Sequence, residues 1–141
     1  MLEILRKRRS IRQFKKERIA QAQIDALREA VLRSPSSRAI KPWKFWFVQD
    51  ADLIGKLSRC KESGSAFLKG APLAVVVCGD ENMSDVWIED CSIAAIVARL
   101  TAQSLGLGSC WSQIRNRAHS GEKTAEAYVQ ELRRSLREEA P

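Results

Sequence analysis

The stretch Asp85-Val86-Trp87-Ile88-Glu89-Asp90-Cys91-Ser92-Ile93-Ala94-Ala95-Ile96-Val97-Ala98-Arg99-Leu100-Thr101-Ala102-Gln103-Ser104-Leu105-Gly106 carries the longest helical pattern in the chain. Ser84 or Asp85 can cap its start and Gly106 can stop it, which predicts a helix over 84–105. Residues 93–98 are apolar in succession, more than one face of a helix can hold. A helix apolar nearly all round is buried on all sides. In a chain of 141 residues such a helix is central. It lies either inside the core of one chain or across a dimer interface.

Working outward, residues 72–78 form a continuous apolar run, the pattern of a strand buried on both faces. Residues 43–48 are aromatic and β-branched behind Pro42, and suit a second strand. Between them, Asp50 or Asp52 can cap a helix over 51–60, and 65–69 add one helical turn. Upstream, Ile24, Leu27 and Val31 recur at helical spacing, widened by Leu32, and predict an amphipathic helix over 21–33 that Pro35 ends. Leu2 and Leu5 mark a short helix over 2–8. Downstream, 107–114 reads as a short strand and 122–139 as a charged helix with a sparse stripe of Ala125, Val129, Leu132 and Leu136. No internal repeat or low-complexity segment interrupts the chain. Alternating helices and strands point to an α/β or α+β sandwich.

Composition agrees with one soluble globular domain: hydrophobic residues make up 45% and charged residues 29%. No apolar run approaches the ~20 residues that cross a membrane. Early charge argues against a signal peptide. Cys60, Cys78, Cys91 and Cys110 form no CxxC pair, and His119 is the only histidine, which argues against a zinc site. The cysteines read as reduced, mostly buried thiols of a cytoplasmic protein. The net charge of +7 is uneven, because residues 1–20 hold eight Lys or Arg against Glu3 and Glu17. One basic site favours a local anionic ligand over a long nucleic-acid track.

That basic site is Arg6-Lys7-Arg8-Arg9-Ser10-Ile11-Arg12-Gln13-Phe14. Guanidinium groups grip phosphate oxygens two at a time, and a neighbouring hydroxyl adds a donor. Ile11 and Phe14 can anchor the stretch to a core. Three readings fit it: a cofactor phosphate, a nucleic acid, or a solvated arm. No nucleophile–base arrangement accompanies it. His119 sits in a polar loop, and the pairs Asp80-Glu81 and Glu89-Asp90 read as a turn and a first helical turn. Neither GxGxxG nor GxxxxGK[ST] occurs. An enzyme so poor in acids and bases leaves the difficult chemistry to an organic cofactor.

Three motifs occur in order: Arg8-Arg9-Ser10-Ile11-Arg12-Gln13-Phe14, then Ser34-Pro35-Ser36-Ser37-Arg38 leading to Pro42-Trp43-Lys44-Phe45, then Gly106-Leu107-Gly108-Ser109-Cys110-Trp111. In that order and spacing the sequence resembles the FMN-dependent nitroreductase family over residues 3–130. The resemblance implies an α+β sandwich with a central mixed or antiparallel sheet, flanked by helices and containing a long buried central helix. It implies one FMN-binding domain over 1–141, lacking the usual C-terminal strand and tail, and a homodimer with FMN at its interface. By the same resemblance, Arg8, Arg9 and Ser10 hold the FMN phosphate and ribityl chain, and Arg12 faces the pyrimidine edge. Pro35, Ser36, Ser37 and Arg38 come from the other subunit, and Trp111 and Gln113 lie against the isoalloxazine ring. The implied activity is hydride transfer from NADH or NADPH through the flavin to a nitroaromatic, quinone or related acceptor, with no catalytic side chain. Many family members carry asparagine and glutamine at the positions of Ala39 and Lys41. The alternative implied by these departures is a non-catalytic or vestigial flavin-binding protein. No nucleic-acid or membrane partner is expected.

Overall fold

Ile24, Leu27 and Val31 fall on one side of a helix at Gln21–Leu32, and all three are buried. This apolar stripe meets the helix at Trp87–Ser104, which crosses the molecule. The computed structural model describes residues 1–119 and 124–138, with side chains as far as Arg134. Seven elements follow in order among the described residues: α1 (Leu2–Lys7), α2 (Gln21–Leu32), β1 (Trp43–Val48), α3 (Ala51–Leu57), β2 (Ala74–Gly79), α4 (Trp87–Ser104) and α5 (Ala125–Glu138). Short 3-10 turns at Ser37–Ala39 and Ala66–Gly70 join them. The fold is α+β, with helices around a small antiparallel sheet. No helix among the described residues is long and apolar enough to cross a membrane.

β1 and β2 pair antiparallel, with Trp43 opposite Gly79 and Val48 opposite Ala74. On one side of this ribbon, Val48 and Ala74 join Leu53, Ile54, Leu57 and Cys60 from α3 and its exit, and Val129 from α5. Burying a side chain such as Ile54 contributes about 1.5–3 kcal/mol, so this cluster fastens α3 and α5 to the sheet. Asp50 caps α3 by accepting a hydrogen bond from the Leu53 amide at 2.7 Å, a contact worth about 1 kcal/mol. At the other end of the chain Thr124 Oγ1 accepts from the Ala127 amide at 3.1 Å and starts α5.

Several expectations are corrected. α4 begins at Trp87, with Val86 as its cap residue. Ser84 Oγ instead accepts from the Val86 amide in the turn before it. Gly106 does end the helix, at φ +76, and the Leu107 amide returns to the Ala102 carbonyl at 2.8 Å. Residues 107–114 form no strand: one parallel bridge, Ser10 to Ser109, is the ladder they make. Two glycines and a single neighbouring segment leave them extended but largely unpaired. The 72–78 run is half-buried rather than covered on both faces, because the side of β2 away from α3 opens on a cavity. α4 is buried at Asp90, Ala94 and Ala102, while Ile93 and Ile96 are 39% and 37% exposed in the single chain. Of the four free cysteines only Cys60 is fully buried. Positions 122, 123 and 139 of the expected C-terminal helix lie outside the described residues.

Candidate functional site

The basic arm leaves α1 in extended geometry at Arg8 and lies along the segment that follows α4. Ile11 donates its amide to the Ser109 carbonyl at 3.0 Å. A Cβ on Gly108 would come within 3.0–3.1 Å of Ile11 side-chain carbons. A larger residue there would push Ile11 aside by a few tenths of an ångström, so close approach favours glycine and gives the Gly-Leu-Gly pattern a purpose beyond stopping a helix. Phe14 packs on Phe67 with ring centroids 6.4 Å apart and anchors the far end of the arm. Ile11 covers Gly108 but stays 39% exposed, so it is a weaker anchor than expected.

The arginines of the arm divide into distinct environments. Arg9 Nη1 donates to the carbonyls of Arg6 and Arg8 at 2.7 and 2.8 Å, closing the end of α1. Arg8 Nη1 is buried and has no hydrogen-bond partner. Arg12 is exposed, with no hydrogen bond or ion pair to the described residues. Ser10 Oγ accepts from Nη2 of Arg99 at 3.2 Å. Arg99 comes from α4, and its Nε is buried without a partner. Burial first, and then the neighbouring Arg8 charge, hold the Arg99 guanidinium below its ordinary pKa.

Arg99 also lines a cavity of about 340 Å³ bounded by β2, α4 and residues 107–115. Its walls are mainly apolar and include Phe14, Val77 and Ala98. The polar side chains on them include the Arg99 guanidinium, the Ser112 hydroxyl and the Gln113 amide, with Ser92, Ser109, Trp111 and Arg115 also on the lining. Ser112 Oγ is buried without a partner. Trp111 donates its indole N–H to Gln113 Oε1 at 3.0 Å, and Gln113 Nε2 donates to the Arg115 carbonyl at 3.2 Å. This pair is therefore held rigidly at the cavity wall. Apolar walls with a few oriented donors are the usual composition of a small-molecule site. Cys91 also faces the cavity, and its burial pushes the thiol up to about 11, leaving it protonated at neutral pH.

Pro35, Ser36, Ser37 and Arg38 lie away from this cavity. Their loop is tied to the start of α4. The Ser37 amide donates to Asp90 Oδ1 at 2.8 Å, and Arg38 pairs with Asp85. Ser36 Oγ accepts from the Lys41 amide at 2.9 Å. Arg38, Ala39 and Lys41 all have left-handed φ values, 53, 56 and 55. Non-glycine residues adopt these at a cost, and their clustering is typical of loops shaped for binding. Asp90 is 2% exposed, and its Oδ2 has no partner. It is a buried strut for the loop, not only a favourable charge in a first helical turn.

The structure thus brings Arg8, Ser10, Trp111 and Gln113 to one side of the molecule and keeps Pro35–Arg38 on another. Asp90, Arg99 and Ser112 were not among the expected site residues. Arg99 had a visible signal, as the only charge between Ile93 and Ala102. Ser112 and Asp90 had none, since hydroxyls and carboxylates at such positions are common. His119 is half-buried rather than on the surface, stacked on Tyr128 at 4.1 Å.

Comparison with known proteins gives this arrangement a family. A model of the nitroreductase family matches residues 5–62. An FMN-dependent nitroreductase from Clostridium difficile R20291 superposes with a TM-score of 0.93 at 43% identity, over 95% of this chain and 78% of that one. A Methanothermobacter thermautotrophicus protein named "Putative NADH dehydrogenase/NAD(P)H nitroreductase" is 34% identical over 117 residues, 81% of this chain and 61% of the relative. "FMN reductase [NAD(P)H]" of Bacillus subtilis is 29% identical over 130 residues, covering 77% of this chain and 52% of the relative. The chain belongs to the nitroreductase family. It spans between about a third and two-thirds of the length of the curated relatives it matches.

Asp90→Ala should destabilise the protein by about 1–3 kcal/mol, because the Ser37 amide loses its acceptor. Urea unfolding measures this, and a change below about 0.3 kcal/mol would remove Asp90 from the role of strut.

Proposed function

We propose that this protein is an FMN-dependent oxidoreductase that takes a hydride from NADH or NADPH and delivers electrons to a nitroaromatic, quinone or related acceptor. One observation carries the reading. Arg99, on the lining of a largely apolar cavity, bonds Ser10 and lies near Arg8, and each of the two arginines has a buried nitrogen without a partner. Unpartnered buried donors are costly, and a ligand with acceptor oxygens relieves that cost. FMN fits this donor set: its phosphate suits the arginines and Ser10, and its ring system suits apolar walls with a few oriented donors. The names of the clostridial and Bacillus relatives agree with an FMN cofactor and an NAD(P)H donor.

When bound, the flavin supplies the redox chemistry, accepting a hydride equivalent and releasing electrons. The side chains bind, orient and tune. Arg8 and Ser10 hold the phosphate end. Trp111 and Gln113, locked to each other, present a fixed wall to the ring. Arg12, without a partner among the described residues, offers a cation to the edge of the flavin that gains negative charge on reduction, which raises its potential. Pro35, Ser36, Ser37 and Arg38 serve the site of a second copy. Two exposed apolar rows support that dimer: Leu2 and Leu5 on α1, 58% and 49% exposed, and Ile93 and Ile96 on α4, against which α1 packs. Monomers rarely leave so much contiguous apolar surface uncovered.

Purified protein supplied with FMN should show the visible absorbance of oxidised flavin, bleached by NAD(P)H without oxygen and restored by a quinone. Protein that takes up no FMN would refute the reading. Protein that binds FMN but never turns over would support the vestigial alternative, which rests on the missing side-chain donor at Ala39. Arg12→Ala should lower the flavin potential in spectroelectrochemistry while the fold survives; an unchanged potential would place Arg12 elsewhere. In light scattering the protein should have twice the chain mass. Ile96→Glu should halve that mass, and a monomeric parent protein would defeat the dimer.

A further inference from the structure

The contiguous trio that the sequence presents is not equally free to receive a phosphate. Arg9 spends its guanidinium on the carbonyls of Arg6 and Arg8 at the end of α1. A different cation stands in its place. Arg99, the lone charge in an apolar stretch of α4, reaches Ser10 Oγ with Nη2 at 3.2 Å and leaves Nε buried and unpartnered. Beside it lies Arg8, whose buried Nη1 is likewise unpartnered.

Two neighbouring guanidinium groups, each with one buried nitrogen that has no acceptor, repel each other. Among the described residues no carboxylate forms a salt bridge with either one. A phosphate monoester, with a charge near −2 and three outer oxygens, meets both requirements at once. Ser10 completes the set. Its oxygen accepts from Arg99, so its own hydrogen remains available for a phosphate oxygen.

We propose that Arg99 is a phosphate-binding residue: with Arg8 and Ser10 it holds the phosphate monoester of the flavin cofactor from the α4 side. The inference rests on the flavin reading above and deepens it. It assigns the second cation of the receptor to α4, where the sequence motif offers Arg9. Its consequence is selectivity, because α4 then contributes to the preference for FMN over riboflavin, which has the same ring and ribityl chain but no phosphate.

The test titrates flavin-free protein with FMN and with riboflavin, following quenching of flavin fluorescence. Arg99→Ala should weaken FMN binding by about 10- to 100-fold, the scale of one lost charge-assisted contact. It should leave riboflavin affinity within about twofold. Arg99→Lys should recover part of the loss, and Arg9→Ala should leave FMN affinity within about threefold. Equal loss for both flavins would make Arg99 a structural residue, and no loss for FMN would exclude it from the site. Either result overturns the inference and leaves the FMN reading standing. Parent protein that binds neither flavin overturns both. The diphosphate of NADH is the other source of phosphate chemistry. A loss confined to NADH binding by the flavin-loaded protein would assign Arg99 to the nucleotide and overturn its assignment to FMN.

Discussion

The amide of Ile11 donates to the carbonyl of Ser109, and Ile11 packs closely over Gly108. This join lays the N-terminal arm along the chain leaving α4, and the candidate site depends on it. Without it, Arg8 and Ser10 would belong to a charged arm in solvent and Arg99 would be an unexplained cation on an apolar helix. With it, residues 89 positions apart share a hydrogen bond. The join is small, one backbone bridge and one close approach, so its strength comes from what lies around it. Phe14 on Phe67 fastens one end of the arm, and the packing of α4 on α2 fixes the other.

A second set of contacts works the same way at the opposite end of α4. Asp90 holds the Ser37 amide, and Asp85 holds Arg38. Between them they brace a loop with three departures from ordinary backbone geometry, at Arg38, Ala39 and Lys41. Strain of this kind costs of order 1 kcal/mol or more at each residue, and it persists only where the surroundings impose it. α4 is therefore more than a core helix. Near its start it shapes one loop, and in its fourth turn it lends a cation to the arm. A helix apolar on most of its surface can carry two such polar tasks because both groups are tied to neighbouring segments.

Much of the fold was legible because it rests on local rules. The stripe of Ile24, Leu27 and Val31 needed a partner surface and found one in α4. Asp50 was readable as a cap and Gly106 as a stop, since side-chain capping and left-handed φ are properties of single positions. The strands at 43–48 and 74–79 were legible from their β-branched and aromatic content. Misreadings occurred where pairing decides. Residues 107–114 have strand-like composition, but one bridge is all their neighbours provide. The run ending at Cys78 looked wholly buried, yet one side of β2 opens on the cavity.

Sequence alone determined the chemical types available: a basic arm with one serine, a serine-rich loop, a glycine-spaced turn and almost no acid–base catalysts. It also determined the positions of the helices, since helical periodicity is a relation among near neighbours. Only the tertiary structure decided which cations act together. Arg8, Arg9 and Arg12 are equivalent on paper, but one buries a nitrogen, one closes a helix and one is exposed. Arg99 joins the first of these across 91 positions of chain, because burial and partnership depend on what folds against a residue rather than on what precedes it.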